Sequence, residues 1–166
     1  MGYKKMDKRV QQVITLRENG RLEEANQLMV ALVKDELENG YYQFQCAWTY
    51  DSLGKEQEAV PHYEKAIQLG LKPEFLVDAY LGLGSTYRAL GQYEQSKRIL
   101  EQAQSEFPEA EHLKVFYAMT LYNLSEHSKA METLLNTVIQ TTNHKGIKKY
   151  SKAIKFYSNK LDQTWE

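Results

Sequence analysis

The sequence predicts an all-α protein, an array of four helix hairpins followed by one further helix. Apolar residues recur at helical spacings of three, four and seven along most of the chain. A small residue (Gly20, Gly54, Gly91 or Ser125) ends every second amphipathic run, and these residues are 34, 37 and 34 positions apart. Helices joined by so short a turn must be antiparallel. Each hairpin alone leaves one helical face uncovered, so neighbouring hairpins have to stack.

The individual hairpins follow from residue columns that repeat around each turn. A small residue stands five positions after the turn, where a bulky side chain would hold the paired helices apart. Small and then large residues recur seven and four positions before the turn. The columns place the repeats at about 6–39, 40–76, 77–110 and 111–142. They comprise Ala25, Ala59, Ser96 and Ala130; Val13, Ala47, Gly84 and Ala118; Leu16, Tyr50, Tyr87 and Leu121; and, in the second helices, Met29, Tyr63, Leu100 and Leu134.

Two irregularities interrupt the pattern. Three extra residues between the second and third repeats fall within LGLKPE, where Gly70 can end one helix and Pro73 can begin the next. Pro61 lies early in the second helix of the second repeat, where the missing amide proton costs little. We therefore expect a small distortion at Pro61 and no break in the helix.

The C-terminal segment is predicted to form a turn at TTNHKG and then one capping helix over residues 145–163. A terminal repeat exposes an apolar face unless another element covers it, and a cap is the ordinary cover. The alternative is that this helix folds back over the inner side of the stacked hairpins or forms a dimer contact. The apolar face of the helix would consist of Tyr150, Ala153, Ile154, Tyr157, Leu161 and Trp165.

Composition limits the classes of function. A chain of 166 residues with 42% hydrophobic content can bury one continuous core, so a single domain over residues 1–166 suffices. The net charge of −1 predicts neither a nucleic-acid nor a membrane partner, although six lysines against Asp162 and Glu166 give residues 143–166 a net charge of +4. No apolar run is long enough to span a membrane, and the single cysteine, Cys46, excludes an internal disulfide. These features favour a cytoplasmic protein.

The repeated columns resemble those of tetratricopeptide-repeat proteins, whose unit is a helix-turn-helix of about 34 residues. The resemblance covers residues 6–141 and is weaker in the first and fourth repeats, where Arg9 and Lys114 occupy a normally apolar column. The runs GLGSTYRALGQYEQS and YSKAIKFYSNKLDQTW also resemble a family of small bacterial tetratricopeptide proteins without assigned chemistry. The resemblance implies a right-handed α-α superhelix of four repeats that binds proteins, with dimerisation as an open possibility.

In such a stack the first helices line a concave groove, and the columns facing it are the predicted partner-binding surface. Tyr41, Phe44 and Trp48 form an aromatic strip, which could alternatively belong to the core. Arg17, Asp51 and Arg88 alternate in charge and could form a ladder that either meets a peptide carboxylate or only holds the repeats in register. The predicted surface comprises Tyr41, Phe44, Gln45, Trp48, Asp51, Ser85, Arg88, Met119, Tyr122 and Asn123.

Enzyme chemistry is not predicted, and no catalytic residue, metal ligand or cofactor is assigned. The four histidines are scattered without metal-ligand spacing, and Cys46 occupies a core position. The GLGS run at 82–85 lies inside a predicted helix and lacks the lysine of a P-loop, so close helix packing explains it better. We therefore expect a non-enzymatic module that binds a protein or peptide in its groove. The alternative is a structural homodimer, formed through the aromatic strip or the C-terminal helix.

Overall fold

The computed structural model describes residues 7–165, and every regular element within that range is an α-helix. The all-α class is therefore confirmed. The predicted start of the first repeat, at residue 6, lies outside the described residues. The helices are α1 Lys8–Glu18, α2 Leu22–Asp35, α3 Gly40–Ser52, α4 Glu56–Leu69, α5 Pro73–Ala89, α6 Tyr93–Glu106, α7 Glu111–Asn123, α8 His127–Thr141, α9 Lys145–Lys149 and α10 Ser151–Tyr157.

The four predicted turn residues all adopt the left-handed conformation. Their φ angles are 73° at Gly20, 67° at Gly54, 73° at Gly91 and 63° at Ser125. After Gly20, Gly54 and Ser125, the amide of the next residue donates to a carbonyl five residues back, as from Arg21 to Leu16 over 2.9 Å. This bond satisfies a carbonyl that the helix end leaves without a partner. The sequence pattern thus marks the helix ends correctly, including the end where serine replaces glycine.

The columns of small residues are buried as predicted. Ala25, Ala59 and Ser96 are fully buried, and Ala130 is 4% exposed. Pro61 lies inside α4 without interrupting it, and Pro73 begins α5. In the LGLKPE segment, which contains the three extra residues, Gly70 caps the C-terminal end of α4 with a φ of 85°. Helix α5 is 17 residues long, whereas α3 and α7 have 13.

The chain divides into two compact units, Met1–Leu90 and Gly91–Glu166. In the first unit, each helix from α2 to α5 packs against the one before it, and α3 also contacts α5. In the second unit, α7 packs between α6 and α8. A single domain over the whole chain stays a prediction.

The C-terminal segment differs from the prediction of one helix over residues 145–163. The helix is interrupted at Tyr150, and regular helix ends at Tyr157. The amides of Tyr150 and Ser158 nevertheless find carbonyl partners, at Ile147 and Ile154. Helix α10 packs on α8, and Ser158 is 3% exposed. The segment therefore covers α8, as a cap would, with two short helices in place of one long helix.

Candidate protein-binding surface

The centre of the candidate surface is a stacked pair formed by Arg17 of α1 and Trp48 of α3. The guanidinium carbon of Arg17 lies 3.8 Å from the centroid of the Trp48 ring. Its Nη1 donates a hydrogen bond to Oε1 of Gln45 over 3.3 Å. Gln45 is itself only 2% exposed, so a buried amide fixes the position of the cation. Trp48 remains 39% exposed, which leaves part of a large apolar ring open to solvent beside a positive charge.

Arg17 has hydrogen-bonding capacity beyond this contact. A guanidinium carries five N–H donors, and within residues 7–165 the bond to Gln45 is the one hydrogen bond that the Arg17 guanidinium forms. Burial lowers the pKa of Arg17, but arginine still stays protonated in proteins. A half-buried cation with donors to spare is suited to a carboxylate or a peptide carbonyl group.

The Trp48 ring of this pair packs against an aromatic cluster formed by residues of α3 and α5. The ring of Phe44 lies 5.6 Å from that of Trp48 and 6.2 Å from that of Phe75, on α5. Tyr41 packs on Phe75 at 4.7 Å, and both rings are half-buried. These contacts join α3 to α5. Together with the Arg17 contacts they define a first-helix face on α1, α3 and α5, carrying Arg17, Tyr41, Trp48 and Phe75.

Phe44 and Gln45 are corrections to the predicted contact set. Phe44 is 1% exposed and belongs to the core, the alternative that the sequence left open for the aromatic strip. Gln45 is buried and serves Arg17. Both side chains support the surface without being accessible to a partner. The strip therefore divides: Trp48 is exposed, Tyr41 is intermediate and Phe44 is internal.

The predicted charge ladder does not form through Asp51. The Asp51 carboxylate accepts hydrogen bonds from the hydroxyls of Tyr63 and Thr86, each over 2.9 Å. These bonds tie α3 to α4 and α5. Burial raises the pKa of Asp51, and the two hydroxyl donors partly oppose that shift. Asp51 is thus a structural anchor between three helices and not a member of an arginine ladder.

The GLGS run makes close helix packing possible, as predicted. A Cβ added at Gly82 would lie 2.5 Å from the Tyr63 ring, nearer than real side chains approach. Because Gly82 has no side chain, Tyr63 can cross α5 and place its hydroxyl on Asp51. The absence of a side chain at Gly82 therefore allows the hydrogen bond between Tyr63 and Asp51 to form.

The remaining residues of the predicted surface lie on α5 and α7, and each of them is half-buried or exposed. Ser85 and Arg88 are half-buried on α5 of the first unit. In the second unit, α7 carries Met119 and Tyr122, which are 38% and 63% exposed, and also Asn123, which is half-buried. The ring of Tyr122 meets that of His127 edge-on at 4.7 Å.

Sequence reasoning missed two features of this surface. Phe75 was overlooked because it lies in the extra N-terminal turn of α5, outside the repeat columns; the KPEF run after Gly70 was the available signal. A threonine column five residues before the turn was also missed. Thr49, Thr86 and Thr120 are each at most 1% exposed, and each donates to a carbonyl of its own helix. Thr86 is the one that reaches Asp51.

Other candidate chemistry is accounted for by burial. Cys46 is fully buried, which raises the pKa of its thiol to about 12 and keeps it protonated, as its core position predicted. His62 is held by Gln43, with 2.7 Å between Nδ1 and Oε1.

Within residues 7–165, no group of three or more potential ligands could hold a metal ion. In the same range, no helix combines the length and apolar character needed to cross a bilayer.

The paired helices, their left-handed turns and the buried small columns define a helical-repeat protein. A family model described as tetratricopeptide repeat matches residues 40–161. The chain therefore belongs to the tetratricopeptide-repeat family, whose fold is that of a protein–protein interaction scaffold, and the predicted fold class is confirmed. No curated protein sequence matches the chain.

Three solved structures illustrate the likeness in fold. The structure of YrrB, described as a TPR protein with an unusual peptide-binding site, is 17% identical with a TM-score of 0.69, covering 92% of this chain and 77% of YrrB. The MamA protein is 15% identical with a TM-score of 0.70, covering 87% of this chain and 74% of the MamA chain. A tetratricopeptide repeat protein from Parabacteroides merdae is 18% identical with a TM-score of 0.65, covering 90% and 61% of the two chains. At these identities the likeness concerns the fold alone.

Proposed function

We propose that this protein is a non-enzymatic interaction module that binds a peptide segment of a partner protein on its first-helix face. The observation that carries the proposal is the Arg17–Trp48 pair. Interface hot spots are enriched in tryptophan and arginine, which combine large apolar area with directed hydrogen bonds. Here the two occur in one stacked unit, held by a buried glutamine.

The surroundings of the pair suit an acidic or carbonyl-rich peptide. Arg17 supplies donors that its contacts with residues 7–165 leave unused. Trp48, Tyr41 and Phe75 supply partly exposed ring surface for an apolar side chain. The anchor at Asp51 fixes α3 relative to α4 and α5, so the face is formed before a partner arrives and binding costs little ordering entropy. YrrB shares the fold and is described as having a peptide-binding site, which is consistent with this use.

The test is a selection of binding peptides from a displayed library, followed by affinity measurements on purified variants. Trp48→Ala should weaken the selected peptides by about tenfold or more, because a truncated hot-spot residue costs about 2 kcal/mol or more. Met131→Ala is the matched control, since it removes an exposed apolar side chain of α8 that does not belong to the first-helix face. Circular dichroism of each variant checks that helicity is retained. Equal peptide affinity in wild type and Trp48→Ala would contradict the proposal.

Self-association is the second candidate, and the exposed aromatic side chains near the C-terminus favour it. Phe156, Tyr157 and Trp165 are 52%, 47% and 57% exposed. The other proposed route, through the aromatic strip, is less favoured because Phe44 is internal. Light scattering over a dilution series, with and without residues 143–166, distinguishes the two candidates. A dimer that the deletion converts to a monomer would support self-association through this segment.

A further inference from the structure

The segment after α8 presents rings and cations together on a surface that the peptide-binding proposal does not use. The rings of Phe156 and Tyr157 meet edge-on at 5.1 Å, and those of Tyr157 and Trp165 at 5.4 Å. Phe156 and Trp165 lie 6.3 Å apart, so the three rings form one cluster. Exposed lysines precede these rings on α9 and α10. Rings and lysines together are called the C-terminal basic surface, defined by Lys148, Lys152, Lys155, Phe156, Tyr157 and Trp165.

The cations of this surface are not neutralised by any residue in the described range, 7–165. Lys148, Lys152 and Lys155 are exposed, and none of them forms an ion pair with a residue in the range 7–165. The one hydrogen bond from a Nζ of these three lysines runs from Lys148 to the amide oxygen of Asn143, over 3.3 Å. The nearby carboxylate of Asp162 accepts instead from the hydroxyl of Ser128, over 3.2 Å. The short helices that lead into the exposed ring cluster therefore carry positive charge without an ion-pair partner in the described range.

The segment is also held in place, so its side chains form a defined surface. Helix α10 packs against α8, and the buried Ser158 donates to the carbonyl of Lys155 over 2.9 Å. The bond between Ser128 and Asp162 attaches the last turn to the start of α8. Lys160 lies over the Phe156 ring with its Nζ 4.4 Å from the centroid. A partner would meet rings whose positions are set before it binds.

We propose that the C-terminal basic surface is a second binding site, for an acidic protein segment that carries a large apolar side chain. Carboxylates of such a segment would pair with the lysines, which raises the association rate and fixes orientation. An apolar side chain would pack on the exposed ring cluster, which excludes water from the contact. The site uses none of the first-helix residues, so it is tested in a Trp48→Ala background, in which binding at the first-helix face is removed from the measurement.

Two other occupants fit the same surface less well. A symmetric dimer through this surface would bring the lysines of one copy against those of the other, and like charges brought together are unfavourable. An anionic membrane favours a long helix with one continuous apolar side, whereas α9 and α10 have 5 and 7 residues. The rings also pack on one another, which keeps apolar area inside the cluster.

The experiment measures binding of a labelled synthetic peptide, rich in glutamate and containing phenylalanine, to the full chain by fluorescence anisotropy, with Trp48→Ala in the parent protein and in every variant. The test variant replaces Lys148, Lys152 and Lys155 with glutamate. The matched control makes the same change in net charge at Lys34, Lys55 and Lys72, which are also exposed. A second test variant, Phe156→Ala with Trp165→Ala, removes the rings without changing charge. Vesicles of phosphatidylcholine with phosphatidylserine are tested in parallel by co-sedimentation.

The proposal predicts that both test variants weaken peptide binding by about tenfold or more, while the lysine control changes it by less than about threefold. It also predicts that added salt weakens binding, because exposed charges are screened. Equal binding by the Trp48→Ala parent and both test variants would overturn it. Retention of the vesicles without measurable peptide binding would overturn it in favour of a lipid surface, and concentration-dependent dimerisation lost in the ring variant would overturn it in favour of a second copy.

Discussion

Arg17 and Trp48 are 31 residues apart in sequence, yet the guanidinium carbon lies 3.8 Å from the centre of the indole ring. The pair joins the first helices of the first two repeats. One face of the tryptophan is thereby covered by a cation, and the side chain as a whole remains 39% exposed. This half-covered ring is the feature from which the proposed binding surface is built.

Replacement of Arg17 by alanine should uncover the indole ring of Trp48. We expect tryptophan emission to shift to longer wavelength and acrylamide quenching to increase, because water replaces the guanidinium. The free energy of unfolding should fall only slightly, by about 0.5–1 kcal/mol, the value of a partly exposed cation–π contact. Arg98→Ala, at an exposed arginine of α6, is the control and should leave the emission unchanged. An unchanged spectrum in Arg17→Ala would contradict the stacked geometry.

A side chain at Gly82 should disrupt the anchor at Asp51. The added methyl group of Gly82→Ala would overlap the Tyr63 ring, whose hydroxyl donates to Asp51. We expect the free energy of unfolding in urea to fall by about 1–3 kcal/mol, the usual cost of overpacking. In a Tyr63→Leu background the same change should cost much less, because the ring is gone. Equal costs in both backgrounds would show that the contact with Tyr63 is not responsible.

The turn at Ser125 offers a stabilising change. Serine at a φ of 63° pays a conformational cost that glycine avoids, so Ser125→Gly should raise the free energy of unfolding by about 0.5–1 kcal/mol. The reverse change, Gly54→Ser, tests the same physics where φ is 67° and an added Cβ would meet open space. It should lower stability by roughly 1–2 kcal/mol. Urea denaturation measures both changes, and effects of the same sign at the two turns would refute the argument.

His62 should make stability depend on pH. Burial lowers its pKa below the ordinary value of 6.5, while the ring stacks on Tyr50 and Nδ1 donates to Gln43. Between the lowered value and 6.5 the unfolded chain binds more protons than the folded one, so the free energy of unfolding falls as pH drops through 6.5. Burial raises the pKa of Asp51 above its ordinary value of 3.8, so its protonation makes the free energy of unfolding rise as pH falls towards 3.8. This dependence has the opposite sign to that of His62.

The effect of His62 is isolated by the difference in the free energy of unfolding between wild type and His62→Gln. It is measured by urea unfolding at a series of pH values above and below 6.5. The difference should shrink as pH falls if the buried neutral ring is correct. A difference that does not change with pH would contradict the assignment.

Much of the fold could be predicted because it depends on local chemistry that repeats. A residue able to adopt positive φ ends the first helix of every hairpin, and a small residue lets its partner helix approach. Both requirements recur at a fixed spacing and are visible in sequence. The break at Tyr150 is different, because the apolar pattern continues through it; the helix that follows the break, α10, packs on α8.

The binding surface was only partly predictable. The helical periodicity shows on which side of a helix a residue lies, but it does not show how deeply the side chain is buried. Trp48 and Tyr122 are exposed as their columns indicated, whereas Phe44 is covered by neighbours that include Phe75. The pairing of Asp51 with two hydroxyls depends on Tyr63 crossing Gly82, a contact between helices that no single column contains. The cytoplasmic location inferred from composition stays a prediction.

The central claim is tested most directly by the two indole N–H resonances in the nitrogen–proton correlation spectrum of the chain, which has 2 tryptophans. Trp48→Ala and Trp165→Ala assign them. Titration with a peptide selected on a variant that replaces Lys148, Lys152 and Lys155 with glutamate should shift or broaden the Trp48 resonance progressively and leave that of Trp165 in place. A titration that saturates while the Trp48 resonance does not move would contradict binding at the first-helix face.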